Sequence, residues 1–561
     1  MNLRSFVPLG ALALLPAAQL LPAQAAAPLP LKYVARPTSA AITAGDLMSR
    51  LYVFADDSMI GRVAGTEGHM KGTAYIAAQV KKMGLLPAGD DGTYFQNVPF
   101  IARRFAASTM LTVDGGALAG YTDLVALPFR GAGARPLDGA QAIYGGMLGD
   151  SAHALTAAQA AGKIVVLTMP ALPARIPPNL SGAAAIATVV GDQFTAPQLV
   201  QARIATMTLH PAPDAPLVAP MLWITSRAAQ TLMGAPLAGL AVGTLGKTVH
   251  GNLQYTVTDA PTRNVVAILP GTDKRVRGEY VAIGAHSDHI GYRAAGAVDH
   301  DSLHAAGRLR WLASENPSGA PRTPEQQADL RARLAAIHVD VDSMHAAHPA
   351  RRDSINNGAD DDGSGTVTVL EVAEAFAKGK VKPKRSLLFV WHTGEEKGLL
   401  GSRYFTDHPT VPRDSIVAQI NIDMVGRGAA GDLAAGGPTY LQLVGSRRLS
   451  TELGDLTEAV NRTEPKPFTF DYAFDANGHP DNIYCRSDHY NYARYGIPVV
   501  FMTTGLHGDY HQVTDEPQYI DYPHMARVGK FVFDLANRVA DLDHRPVVDK
   551  PKPDPMGSCR Q

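Results

Sequence analysis

The sequence predicts an α/β fold, with a mostly parallel central sheet flanked by helices and a separate β-rich unit inserted into it. Three observations carry this reading. From residue 258 onward, short apolar runs alternate with amphipathic stretches, as strands covered on both faces require. Between residues 120 and 250 the chain is rich in Ala, Gly and Pro, with few charges and short apolar runs divided by turn residues. At 561 residues the chain is too long for one ordinary domain and long enough for two or three buried cores.

Residues 1–25 read as an export signal. Arg4 gives a positive n-region, an apolar run extends from Phe6 to Leu21, and Ala23-Gln24-Ala25 is a small-x-small cleavage site that puts the mature start near Ala26. A membrane anchor is the other reading, but Pro8, Pro16 and Pro22 interrupt a run already short for a bilayer. The expectation is a periplasmic or secreted protein without stable membrane insertion. Residues 26–45 read as a linker, and 26–120 as the first part of the main domain, with a helical pattern through Tyr75, Ala78, Val80 and Met83 and Gly84 as its stop.

The β-rich unit is assigned to 121–250, with Ile164–Met169 as one of its strands. The main domain resumes over 251–545. Its strands are expected at Asn264–Leu269, Tyr280–Ala285, Ser386–Trp391, Ile416–Ile422 and Ile497–Met502, and a helix at Thr366–Lys378 with Leu370, Ala373, Phe376 and Ala377 on one stripe. Residues 293–352 break this rhythm with many charges, five His and a helical piece, Thr323–His338, that opens Thr-Pro-Glu-Gln. Residues 546–561 form a tail.

With 51 basic and 52 acidic side chains, no overall field gathers nucleic acid or anionic lipid. Two cysteines, Cys485 and Cys559, exclude a disulfide framework and a cysteine-held zinc cluster, so any metal falls to His, Asp or Glu. The 19 His make that question worth asking.

The chemistry-bearing residues sit at strand ends, where ligands of open α/β sheets gather. His286 and Asp288 lie two apart at one such end; one can bind a metal while the other orients it, although the pair also fits a polar surface. Asp360-Asp361-Asp362, between glycines and directly before a helix, fits either a solvated helix N-terminus or a carboxylate aimed at a cation. Glu395 and Glu396 follow a buried strand and point to different sides, so one can ligate and the other act as a base, while a charged turn is the plain alternative. Asp423 also fits a turn cap, and His511 a structural histidine. Together, His286, Asp361, Glu396, Asp423 and His511 supply about six contacts if one carboxylate bridges. With a shared water that is about four per zinc, a two-metal hydrolytic arrangement.

These motifs, in this order, resemble the M28 family of dizinc exopeptidases, related to glutamate carboxypeptidase, transferrin receptor and glutaminyl cyclase. Gly61-Arg-Val-Ala-Gly-Thr66 and Lys82-Lys-Met-Gly-Leu-Leu-Pro87 resemble its N-terminal helix region, and Gly162-Lys-Ile-Val-Val-Leu167 resembles the core strand of its protease-associated (PA) domain. The resemblance implies a zinc-exopeptidase, phosphorylase/hydrolase-like catalytic domain with a PA insertion. It implies two Zn²⁺, replaceable by Co²⁺ or Mn²⁺, with His286 and Asp423 on one ion, Glu396 and His511 on the other, and Asp361, chosen over Asp360 from the Gly-Ala-x-Asp pattern, bridging both. Glu395 then corresponds to the general base that takes the proton of the bridging water, and Asp288 to the residue orienting His286. Arg486-Ser487-Asp488-His489 resembles a further family segment near the pocket, with no role assigned.

The implied function is an exported aminopeptidase acting on peptide substrates, with no nucleic-acid partner. A carboxypeptidase or dipeptidase on the same site is the alternative, because the metal chemistry does not select the terminus; a non-catalytic receptor-like protein has no use for Glu395. Glutaminyl cyclase is disfavoured by the PA-like insertion. The family passes from His-x-Asp to Gly-Ala-x-Asp through a short loop, whereas here 293–352 intervenes, either as a lid limiting substrate length or as a peripheral decoration. Phe470, Tyr472 and Phe474 either line the pocket or pack. Side-chain preference, the pairing of Cys485 with Cys559 and the oligomeric state leave no trace in the sequence.

Overall fold

In the computed structural model the middle of the main sheet is built from strands that are buried along nearly their whole length. The structure describes residues 29–561 apart from 128–132, 169–177, 213, 294 and 317–318; the export-signal reading of residues 1–25 lies outside the described residues. The strands are β1 (Thr262–Leu269), β2 (Tyr280–His286), β3 (Ser386–His392), β4 (Ile416–Ile422), β5 (Tyr440–Val444), β6 (Thr469–Asp471) and β7 (Val499–Thr503). Their order across the sheet is β1-β3-β2-β4-β7-β5-β6, with Leu86–Pro87 and Phe95–Val98 also paired to β1.

The four central strands β3, β2, β4 and β7 are parallel, whereas β1 runs antiparallel to β3 and β5 antiparallel to β7. The sheet is therefore mixed: four parallel strands form its centre, and the edge pair β5 and β6, parallel to each other, runs opposite to them. Each residue of β3, β4 and β7 is buried, which matches apolar runs without alternation. Parallel alignment brings the carboxyl ends of β2, β3, β4 and β7 to one edge, the edge on which Glu395, Asp423 and the loop to His511 follow.

Helices cover one face: α1 (Ala44–Phe54), α2 (Glu67–Met83), α5 (Gly365–Lys378) and α6 (Tyr522–Ala540). Leu47, Leu51, Ile76, Val80, Leu370, Phe376, Phe531 and Leu535 of these helices share a core with Ile283, Phe389 and Ile420 of the sheet. The other face packs Val266, Leu388 and Val390 against Phe405, Tyr492 and Phe501. The apolar stripe expected on α5 understates its burial, because every residue from Gly365 to Phe376 is buried, including Glu371 and Glu374. Arg50 of α1 makes this possible: its guanidinium donates to both carboxylates and also to Gln79 at 2.9 Å and Thr38 at 3.0 Å.

Within 293–352 lie α3 (His300–Ser314) and α4 (Pro324–Ala336). Thr323 caps α4 through the reciprocal Thr-x-x-Gln capping box.

The β-rich unit has its own six-stranded sheet, ordered Leu245–Thr248, Gln141–Met147, Ile164–Thr168, Ala185–Gly191, Met221–Thr225 and Leu124–Ala126. Its core includes Leu124, Val166, Leu222 and Ile224. Phe105 and Tyr255 also pack there, and Phe100–Phe105 pairs with both Thr206–Leu209 and Tyr255–Asp259. The unit thus extends outward on both sides of the expected 121–250.

Cys485 and Cys559 form a disulfide across a sequence separation of 74. It holds the tail against the loop before Arg486, where the Gln561 carbonyl also accepts the Gly478 N–H at 3.1 Å. Cross-linking across such a loop restricts the unfolded chain and contributes about 2–4 kcal/mol. Replacing both cysteines by serine is expected to lower unfolding free energy by that amount in urea titration; an unchanged midpoint would contradict a structural role for the bridge.

Candidate metal centre

Three consecutive aspartates precede α5, and the backbone gives each a different task. Asp360 turns away from the strand edge: its Oδ1 accepts from the Gly426 N–H at 2.7 Å and the Ser364 hydroxyl at 2.8 Å, and its Oδ2 lies 3.1 Å from His507 Nε2. Asp362 is a scaffold. Its Oδ1 accepts from the Gly365 and Met424 N–H groups at 2.9 and 3.2 Å, and its Oδ2 from the His286 N–H at 3.0 Å. Although Asp362 lies close to His286 and Asp423, these bonds already engage both of its oxygens.

Asp361, between them, has both oxygens directed into a cluster of other donors. Oδ1 is 3.1 Å from His286 Nε2, which is 3.6 Å from Asp423 Oδ1. Oδ2 is 3.0 Å from His511 Nε2, which is 3.1 Å from Glu396 Oε2. One carboxylate thus faces two donor sets, His286 with Asp423 and Glu396 with His511. Zinc bonds of about 2.0–2.1 Å in a tetrahedron place neighbouring donor atoms roughly 3.3 Å apart, and these separations bracket that value. The donor set, imidazole and carboxylate without thiolate, suits zinc and similar divalent ions.

Asp288 does something other than the sequence suggests. The His286 ring is oriented by the Asp288 main-chain carbonyl, which lies 3.0 Å from Nδ1, whereas the carboxylate Oδ1 is 3.8 Å away. Asp288 Oδ1 instead accepts the Glu395 N–H at 3.1 Å, so the side chain fixes the turn that carries Glu395. Glu395 lines a small pocket with His286, Asp361, Asp423, Ser487, Phe474 and Tyr510.

Several supports carry no role assigned from the sequence. Arg62, in the Gly61–Thr66 segment, is fully buried and donates to the carbonyls of Ser287 at 3.3 Å, Asn357 at 2.5 Å and Gly358 at 2.8 Å, tying the loop after β2 to the loop before α5. Asp515 accepts the main-chain N–H groups of Asp360 and Asp361 at 2.9 and 3.0 Å. Ser487 donates to Asp423 Oδ2 at 2.7 Å, and Asp488 lies 3.4 Å from the His392 ring, which gives the Arg486–His489 segment a positioning task. His289, buried, sits 2.9 Å from Glu396 Oε1.

The electrostatics register a demand for positive charge. Burial drives the Glu395 carboxyl well above its ordinary range, with Glu396 and Asp423 adding to the effect. Burial likewise pushes Asp288 up to about 6. Burial alone would lower His511, yet its contacts with Asp361 and Glu396 raise it to about 10. His286 is raised by Asp423 and Asp361 against the same penalty.

The arrangement defines a candidate metal centre of hydrolytic type, built from imidazoles and carboxylates at the carboxyl edge of the parallel strands. Residues 332–536 match the model of Peptidase family M28. Over 215 residues the chain is 32% identical to Leucine aminopeptidase 1 of Ajellomyces dermatitidis, and over 217 residues 31% identical to Leucine aminopeptidase 1 of Ajellomyces capsulatus; each match covers 35% of this chain. The chain spans about half the length of these curated relatives, 52% in both cases. Among solved structures, an aminopeptidase from Aneurinibacillus sp. strain AM-1 is 18% identical with a TM-score of 0.48, covering 91% of this chain and 97% of that one. The zinc aminopeptidase BSAP of Bacillus subtilis is 16% identical with a TM-score of 0.46, covering 91% and 100%.

If Asp362 is scaffold, Asp362→Ala leaves three main-chain N–H groups without their partner, at about 1–3 kcal/mol each. The variant is expected to lose at least about 3 kcal/mol in denaturant unfolding measured with excess chelator, so that ion loss makes no contribution. Equal stability of the two chains would contradict the assignment.

Proposed function

We propose that the protein is an exported dizinc aminopeptidase that hydrolyses N-terminal residues from peptides. The observation that carries this reading is Asp361, whose two oxygens face separate donor sets with Glu395 beside them. The relatives named leucine aminopeptidases favour release of an N-terminal residue. Export is supported by the Cys485–Cys559 disulfide, which belongs to an oxidising compartment. Among the described residues no helix is long and apolar enough to cross a membrane. The β-rich unit is assigned as a PA domain.

In this reading His286 and Asp423 hold one ion, Glu396 and His511 the other, and Asp361 both. Two bound ions would generate a nucleophile from water near neutral pH and polarise the scissile carbonyl. Glu395 accepts the proton of the attacking water and returns it to the departing amine. Asp288 holds the Glu395 main chain, and Ser487 fixes the orientation of Asp423.

The insertion 293–352 is assigned as a wall that limits substrate length. α3 docks beside the His511 loop: His304 Nδ1 is 2.8 Å from Asp509 Oδ1, the His304 ring stacks on Tyr519 at 3.9 Å, and Arg308 donates to the Gly431 carbonyl at 2.8 Å. A cavity of about 580 Å³ lies between the insertion and the main domain, lined by Trp311, Arg322, Leu433 and Tyr440. Phe474 and Leu506 line both this cavity and the Glu395 pocket, so the two spaces adjoin. Of the aromatic residues in the 468–484 loop, Phe474 lines the pocket, whereas Phe470 packs on Phe531 and Tyr472 hydrogen-bonds Glu458.

Glu395→Gln is expected to retain zinc and lose 10²–10⁴-fold in kcat, measured on a leucine-terminated peptide with metal analysis of the same sample; full turnover would refute the base. Free-amine peptides should be cleaved and N-acetylated ones not, and equal cleavage of both with loss of the C-terminal residue would favour the carboxypeptidase alternative. The wild-type rate is expected to fall as a peptide series lengthens from two residues to ten. Replacing 294–351 by a short linker should flatten that dependence, and an unchanged profile in a folded, zinc-loaded variant would remove the length-limiting role.

A further inference from the structure

We propose that His289 is a fourth protein donor at the position formed by Asp361 Oδ2, Glu396 and His511. The chain would then close this position, leaving the one at His286 and Asp423 open to water and substrate. The inference rests on the two-ion reading above and adds an asymmetry that the five expected ligands do not contain.

His289 follows Asp288 by one residue and is fully buried. Its Nδ1 lies 2.9 Å from Glu396 Oε1 and 3.8 Å from Asp361 Oδ2, and its ring meets that of His511 edge-on at 5.6 Å between centroids. One ligand atom from each of His289, Asp361, Glu396 and His511 lies within 4.8 Å of the others. Neither nitrogen of His289 has a hydrogen-bond partner, nor does Glu396 Oε1, despite the short separation. Buried polar atoms are ordinarily satisfied. A cation held between His289 and Glu396 would satisfy both atoms.

The ring is held there by the main chain. The His289 N–H donates to the Arg62 carbonyl at 3.1 Å. Gly358, at a φ of 55°, passes against the ring so closely that a Cβ would stand 2.5 Å from the imidazole Cγ. A glycine at that turn therefore makes room for His289.

The other position has fewer donors. Asp423 offers Oδ1, because its Oδ2 takes the Ser487 hydroxyl, and Asp362 is committed to N–H groups. That leaves His286, Asp361 Oδ1 and Asp423, three protein donors. Four protein donors characterise closed zinc sites, and three plus water characterise catalytic ones.

The test compares zinc content and affinity, by chelator competition, in the wild type, His289→Ala and His289→Gln. Glutamine can still donate a hydrogen bond to Glu396 and so rescues a purely orienting role, whose loss ordinarily costs 10–100-fold in affinity. Both variants are expected to keep one ion and to bind the second more than 100-fold more weakly; a smaller loss in His289→Gln overturns the assignment. The retained ion and the far-UV circular dichroism report folding. Should neither variant fold, zinc X-ray absorption of the wild type decides: three imidazoles shared between two ions are expected, and two would overturn the proposal. A wild type that binds fewer than two ions instead refutes the two-ion reading itself, before any variant is compared.

Discussion

Mutual repulsion among buried carboxylates is the constraint on which the rest of the molecule depends. Asp288, Asp361, Glu395, Glu396 and Asp423 converge on one edge of the sheet. Two like charges 4 Å apart repel by about 4 kcal/mol even at an effective dielectric constant of 20. Such a cluster persists only where fixed N–H groups, imidazoles or cations answer it. The aspartate triplet divides the work: Asp360 and Asp362 are satisfied by main-chain N–H groups and other fixed donors, and Asp361 is left for cations.

Rigid support for this edge comes from far away in the chain. The Arg62 guanidinium joins the loops after β2 and before α5, and the Thr366 hydroxyl of α5 donates to the His286 carbonyl at 2.6 Å. The Trp391 indole N–H in turn reaches the Thr366 carbonyl at 3.1 Å, so β3, α5 and β2 are locked together behind the site. The insertion joins this frame through Asp509, whose Oδ2 also takes the Arg427 guanidinium at 3.0 Å.

Much of this was legible in the sequence, for physical reasons. Strands buried on both faces read as unbroken apolar runs, and β2, β3 and β4 fall within a residue or two of expectation. Residues at strand ends were identifiable because parallel strands deliver them to one edge. The antiparallel flanks were not, because an apolar run carries no direction. The role of Arg62 was illegible since the two loops it joins lie more than 200 residues away. The side chain of Asp288 was read as the orienter of His286, yet the neighbouring carbonyl takes that place, a choice made by local backbone geometry. His289 was in plain sight within His286-Ser-Asp-His289; only the fold reveals that its ring turns back toward Glu396.

The central claim is that Asp361 lies between two cation positions. Anomalous diffraction at the zinc edge from crystals of the wild-type protein tests it most directly. The account requires two peaks about 3.5–4 Å apart, one beside His286 and Asp423 and the other beside Glu396 and His511. A single peak, or none at crystallisation zinc concentrations well above those that load structural sites, would contradict it.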